Sequence, residues 1–118
     1  MAKHNEMGSQ GEKIAESHLI SKGFRIHFRN WRSGRREVDI IASKDNQWVF
    51  VEVKTRSATA FGFPEDFVDE RKKAFLRDAA DAFLWEEQQF PTLRYDIISI
   101  LMRSDQVVEI RHFEDAFY

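Results

Sequence analysis

The 118-residue chain has no cysteine, which excludes a disulfide framework. No apolar run approaches the roughly 20 residues needed to cross a bilayer, so a membrane-spanning helix is excluded. Residues 1–10 are mostly polar where a secretory signal needs an apolar stretch, and a cytoplasmic location is expected. Neither sign of charge dominates: 18 Lys and Arg stand against 20 Asp and Glu, and the net charge of -2 carries no global nucleic-acid signature. The chain lacks a Gly-rich phosphate loop, a nucleophile elbow and a Ser/His/Asp order. His4, His18, His27 and His112 show no zinc spacing, which leaves them core, surface or capping roles. No repeat, low-complexity tract or linker divides the sequence. Its length suits one domain over residues 1–118, with residues 1 to about 8 as a disordered leader.

What is present is unevenly placed. Residues 21–56 hold nine Lys or Arg against four Asp or Glu, so the basic charge is concentrated in one segment. There Arg29, Arg32, Arg35 and Arg36 crowd around Trp31, a mixture suited to phosphate contacts and base stacking; a solvated loop accounts for it nearly as well.

Ser9-Gln10-Gly11-Glu12 reads as a capping box that starts a helix, with Glu12, Ala15 and Leu19 along one stripe and Gly23 as terminator. Phe24, Ile26 and Phe28 alternate with Arg25, His27 and Arg29, the period of a strand with one buried and one basic face. After the polar turn Arg32-Ser33-Gly34-Arg35, a second strand runs through Asp39, and Asp45-Asn46 turns it into a third. That third strand, Trp48-Val49-Phe50-Val51-Glu52-Val53-Lys54, is apolar on both faces until Glu52, as a central strand should be. Residues 55–62 read as a mobile loop. A long helix begins between Pro64 and Glu70, with Val68, Phe75, Leu76, Ala79, Phe83 and Leu84 as its apolar stripe. Trp48 and Trp85 read as packing aromatics. Two further strands follow Pro91, joined by Arg103-Ser104-Asp105-Gln106 as a hairpin. This order predicts an α/β fold: a mixed β-sheet with flanking helices, three strands as an antiparallel meander and the long helix as crossover to a parallel neighbour.

Glu52 and Lys54 are two apart on one strand and project to one face, so their head groups can converge. Charges set into an apolar strand need partners, because desolvating each ion costs several kcal/mol. Asp39, on the adjoining strand, is the third candidate. Asp39 and Glu52 held together repel each other unless a cation sits between them, and two carboxylates with waters suit Mg²⁺. Lys54 then orients an attacking water and offsets charge on a phosphodiester. A buried Glu52–Lys54 ion pair is the bland alternative. Arg56 either clamps a phosphate or pairs with Glu65 or Asp66. Glu37 shares Asp39's face at spacing two, as an outer carboxylate or as a salt-bridge partner of Arg35 or Arg36.

At these residues a resemblance becomes specific. Glu37-Val38-Asp39-Ile40-Ile41-Ala42 followed by Val49-Phe50-Val51-Glu52-Val53-Lys54-Thr55-Arg56 resembles the YraN-like family of uncharacterised bacterial proteins. The likeness extends to Gly11-Glu12, Gly23-Phe24, Asn30, Phe61-Gly62, Lys73, Ala80, Arg94-Tyr95-Asp96, His112 and Ala116-Phe117. That family is similar in turn to the PD-(D/E)xK nuclease superfamily, which includes Holliday-junction resolvases. The resemblance implies a restriction-endonuclease-like core and an endonuclease that uses Mg²⁺ or Mn²⁺. It implies that Asp39 and Glu52 hold the metal, that Lys54 assists the attacking water and that Glu12 completes the site. It implies DNA as partner; the surface expected to meet it is the one read from the residues themselves, Arg29, Trp31, Arg32, Arg35 and Arg36 with Arg56. A chain this small also suits a homodimer or a protein partner. Two departures stand out: Arg35-Arg36 where a glycine commonly precedes the glutamate, and Val38 in place of the superfamily's proline. The competing reading is a binding module that keeps the fold without catalysis.

Overall fold

Each polar break between the strand-like runs becomes a tight turn in the computed structural model, which describes residues 6–57 and 68–118. The elements are α1 (Glu6–Ser21), β1 (Arg25–Ser33), β2 (Arg36–Lys44), β3 (Gln47–Ser57), α2 (Glu70–Glu86), β4 (Thr92–Arg103) and β5 (Gln106–Phe117). Asp45 and Asn46 turn β2 into β3 with φ of 53° and 61°, and Ser104 and Asp105 turn β4 into β5 with φ of 49° and 62°. Two successive left-handed residues match the twist of the flanking strands, and short polar side chains tolerate that conformation better than most.

The five strands lie in one sheet in chain order, antiparallel throughout except for β3 and β4. Those two are parallel because α2 carries the chain back across the sheet between them. β3 is central, and its side chains alternate between two cores. Trp48 and Phe50 pack in one cluster with Leu76, Ala79, Ala80 and Phe83 of α2; Val49 and Val51 pack in the other with Ala15 and Leu19 of α1. A mixed five-stranded sheet covered by a helix on each face is consistent with a restriction-endonuclease-like fold.

Several local expectations are corrected. Ser9 lies inside α1, which already runs from Glu6, so it caps nothing, and residues 6–8 are helical rather than part of a disordered leader; residues 1–5 lie outside the described residues. The simple alternation of the first strand fails because the register shifts between Ile26 and Phe28. Ile26 packs with the α1 core, whereas Phe28 meets Phe83 of α2 at a ring distance of 5.6 Å. Val68 precedes α2, whose N-cap is Asp69 accepting the Lys72 N–H at 2.8 Å. Trp85 is not a packing residue: it is 85% exposed on α2, while Trp48 is buried. Of the expected loop over residues 55–62, residues 55–57 complete β3 and residues 58–62 lie outside the described residues.

Gly23 ends α1 as expected, at φ 89°, with the Phe24 N–H returning to the Leu19 carbonyl at 3.0 Å. Gly11 has a different task. A Cβ built there would stand 1.8 Å from Thr55 Oγ1, so α1 reaches β3 at a distance only glycine allows. That contact fixes the neighbouring Glu12 against the sheet.

Candidate active site

The site lies where two strands part. β2 and β3 pair from Lys44↔Gln47 to Ile40↔Val51 and no further, while β3 stays paired with β4 from Gln47↔Thr92 through Ser57↔Met102. β2 also twists at this point: Val38 and Ile40 are both buried, yet Val38 packs with α2 and Ile40 with α1. Opposite them on β1, Asn30 has φ 51° between the pairs Arg29↔Ile40 and Trp31↔Val38. Strict alternation therefore breaks at Asp39, and Glu37 does not share its face as spacing two suggests. Glu37 bonds Arg32 at 3.3 Å, not Arg35 or Arg36.

With the ladder open, the Asp39 carboxylate fills the gap. Its Oδ2 accepts the Val53 N–H at 2.8 Å, replacing a strand–strand bond and fixing the side chain beside Glu52. Glu52 is buried, and its carboxyl is pushed up to about 8 by desolvation and by a hydrogen bond and charge repulsion from Asp39, with Lys72 only partly offsetting these. Lys72 Nζ stands 3.0 Å from Glu52 Oε2. That ion pair is the charged neighbour of a buried carboxylate oxygen. Burial works against the Lys72 charge, but Glu52, Asp39 and Glu37 outweigh it and hold the ammonium above its ordinary range.

Lys54 lines the same cleft of about 370 Å³ as Glu52, together with Arg56, Asp69 and Lys72. The two residues thus share a face as their spacing requires. Glu12 lines a smaller cleft, about 120 Å³, with Asp39, Glu16 and Arg29 on the α1 side. Asp39 links the two, because it lines the second and its charge acts on the Glu52 side chain that lines the first. The structure therefore brings Asp39, Glu52 and Lys54 together, with Glu12 approaching from α1. The buried Glu52 carboxyl and the partly buried Asp39 carboxylate beside it offer the hard oxygen donors that a divalent cation takes. Lys72 was not among the candidates read from the sequence. It looked like one of several exposed helix cations, and only the entry angle of α2 aims it at Glu52.

The arginine cluster is divided. Arg29 bonds Glu16 of α1 through Nε at 2.7 Å, and Arg36 bonds Asp78 of α2 at 2.8 Å, on opposite faces of the sheet. Trp31 packs edge-on against Phe83 at 5.6 Å, which engages its ring in the α2 core. Arg35 lines a cleft beside α2, and Arg56 donates to the Thr55 carbonyl at 2.9 Å. Glu65 and Asp66, its suggested partners, lie outside the described residues.

A second polar cluster lies on the α1 face. Asp96, fully buried, accepts from Arg94 at 2.9 and 3.1 Å, from His112 Nε2 at 2.8 Å and from the Asp115 N–H at 3.0 Å. Burial alone would raise its carboxyl, but those hydrogen bonds prevail and hold it below the ordinary aspartate range. His112 Nδ1 meets His18 Nε2 at 3.2 Å. Asp96, His112 and Glu114 are close enough to suggest a metal. Both Asp96 oxygens are already taken, and the Arg94 guanidinium that bonds Asp96 also reaches Glu114 at 3.3 Å, so a cation there faces a fixed positive charge. The cluster is a structural network of the β4–β5 pair.

The model of a family described as "Uncharacterised protein family UPF0102" matches residues 11–100. The chain is 42% identical to a UPF0102 protein of Phocaeicola vulgatus and 44% identical to one of Bacteroides thetaiotaomicron, in each case over 118 residues that cover all of this chain and 97% of the relative. Among solved structures it is similar to Pyrococcus furiosus SfsA in complex with Ca²⁺, with a TM-score of 0.38 and 18% identity, over 90% of this chain and 62% of that one. The chain thus spans less than two thirds of the SfsA chain. No helix among the described residues is long and apolar enough to cross a membrane.

Proposed function

This chain belongs to the uncharacterised family UPF0102, the YraN-like family its sequence resembles, and from that premise we propose that it is a metal-dependent nuclease acting on DNA. One observation carries the reading. Asp39 and Glu52 are held together in the gap between β2 and β3, where burial of Glu52 and the neighbouring Asp39 charge both work against ionisation of the Glu52 carboxyl. Natural cores avoid such a pair unless something of opposite charge repays it, and Lys72 does so only in part. Mg²⁺ or Mn²⁺ fits the oxygen-only donors and, when bound, supplies Lewis acidity and a water of lowered pKa.

The chain's own residues have separable tasks. Asp39 and Glu52 hold the cation, and the Val53 N–H fixes the Asp39 carboxylate for that purpose. Lys54, in the same cleft as Glu52, orients the attacking water and offsets charge that grows on the phosphodiester. Glu12, presented to Asp39's cleft from α1, accepts hydrogen bonds from water on that side. Lys72, which lines the same cleft 3.0 Å from Glu52 Oε2, would hold a substrate phosphate there. The test is a cleavage screen over single-stranded, duplex, flapped and four-way DNA with Mg²⁺ and Mn²⁺. Cleavage by wild type that Glu52→Gln abolishes supports the reading; cleavage that survives in the variant belongs to a contaminant.

A further inference from the structure

Helix α2 carries a stripe that core packing does not explain. Arg71, Phe75 and Asp78, spaced by four and three, lie along one side of it. Asp78 takes the Arg36 guanidinium from the start of β2. Phe75, one turn earlier, stays 49% exposed, although its neighbour Leu76 is buried. Its ring lines an open cleft of about 380 Å³ with Arg35, Arg71 and Lys72. Asp69 and Lys72 line both this cleft and the one that holds Glu52 and Lys54, so the two adjoin.

A large exposed aromatic ring, flanked by two guanidinium groups, therefore stands next to the candidate phosphodiester site. The acids nearby are largely engaged: Asp69 Oδ1 accepts the Lys72 N–H, and Glu37 pairs with Arg32. A ring with cations on either side suits a base with its flanking phosphates, since base–aromatic stacking works for any base and cations follow the backbone. It suits an unpaired base, because in a duplex both faces of each base are already stacked on neighbours. A purely apolar partner would leave the guanidinium groups desolvated without return.

We propose that Phe75, with Arg35 and Arg71, forms a subsite that stacks one unpaired nucleotide next to the scissile phosphate, so that the substrate is DNA with a single-stranded segment. This rests on the nuclease reading of the adjoining cleft. The test is therefore made on binding, in EDTA, where no cleavage is needed. Fluorescence anisotropy at low salt compares a labelled oligothymidylate of about a dozen nucleotides with an abasic strand of equal length and charge and with a duplex. Wild type is expected to bind the oligothymidylate about tenfold more tightly than the abasic strand, and more tightly than the duplex. Phe75→Ala should lose that preference, Phe75→Trp should restore it, and Arg35→Gln with Arg71→Gln should weaken both strands and flatten the salt dependence. Equal affinity of wild type for thymidylate and abasic strands overturns the subsite, as does an unchanged preference in folded Phe75→Ala. If no strand binds, the subsite also falls, whereas the adjoining site is judged separately by Mn²⁺ uptake at Asp39 and Glu52.

Discussion

Replacing Glu52 by glutamine should stabilise the protein without metal and abolish its stabilisation by metal. In the folded chain burial and Asp39 push the Glu52 carboxyl from 4.5 to about 8, so the native state holds a proton that the unfolded chain has released by pH 7. Because the folded value is the higher one, wild-type stability from this group is greatest below pH 4.5 and falls as pH rises towards 8. Taken in full, the difference costs the metal-free protein about 3 kcal/mol at pH 7. Glutamine keeps the shape and does not ionise, but it gives up the charge contact with Lys72. In EDTA, Glu52→Gln is therefore expected to be about 1–3 kcal/mol more stable than wild type at pH 7, and equal to it near pH 4.5. Urea unfolding at pH 4.5, 7 and 8.5 measures this. Mn²⁺ at a hundredfold excess over its Kd should then raise wild type by about 2.7 kcal/mol and leave the variant unmoved. A variant less stable than wild type in EDTA at pH 7 and above would refute the argument, since Glu52 and Lys72 would then be a stabilising ion pair.

Lys54→Ala should bind Mn²⁺ as wild type does while cleavage falls about 10²–10³-fold, as single-turnover kinetics would show; an unchanged rate makes Lys54 structural. Gly11→Ala should destabilise by about 1–3 kcal/mol in thermal melts, because its Cβ meets Thr55 Oγ1, and Thr55→Ala should recover part of the loss. Asp96→Asn should cost about 3–5 kcal/mol near neutral pH, because it strips the charged partner from buried His112 and from Arg94. Since the folded Asp96 carboxyl lies below its ordinary range, wild type should lose this advantage only as pH falls through that depressed value, and the two acid-unfolding curves should converge there.

Much of the fold was legible because it is written in local pattern. The β-branched run through β3, the Asp45-Asn46 and Ser104-Asp105 turns and the helix between β3 and β4 determine the meander and its one parallel pair. Asp39, Glu52 and Lys54 could be grouped because a buried strand gives charged residues few reasons to be there. The bulged positions were not legible. The register shift after Ile26 and the twist at Asp39 arise from the sheet's geometry, and each reverses which face a spacing of two implies. The arginine cluster is divided because Arg29 on β1 and Arg36 on β2 reach opposite faces of the sheet, so Arg29 bonds Glu16 of α1 and Arg36 bonds Asp78 of α2. Lys72, Phe75 and the Asp96–His112 pair depend on how distant elements meet, which no local spacing records.

The central claim is that Asp39 and Glu52 bind one divalent cation between them. Calorimetric titration of Mn²⁺ into wild type and into the Asp39→Asn, Glu52→Gln double variant tests it most directly. One saturable site in wild type that is lost in the folded double variant is the predicted result. The same isotherm in both proteins would contradict it.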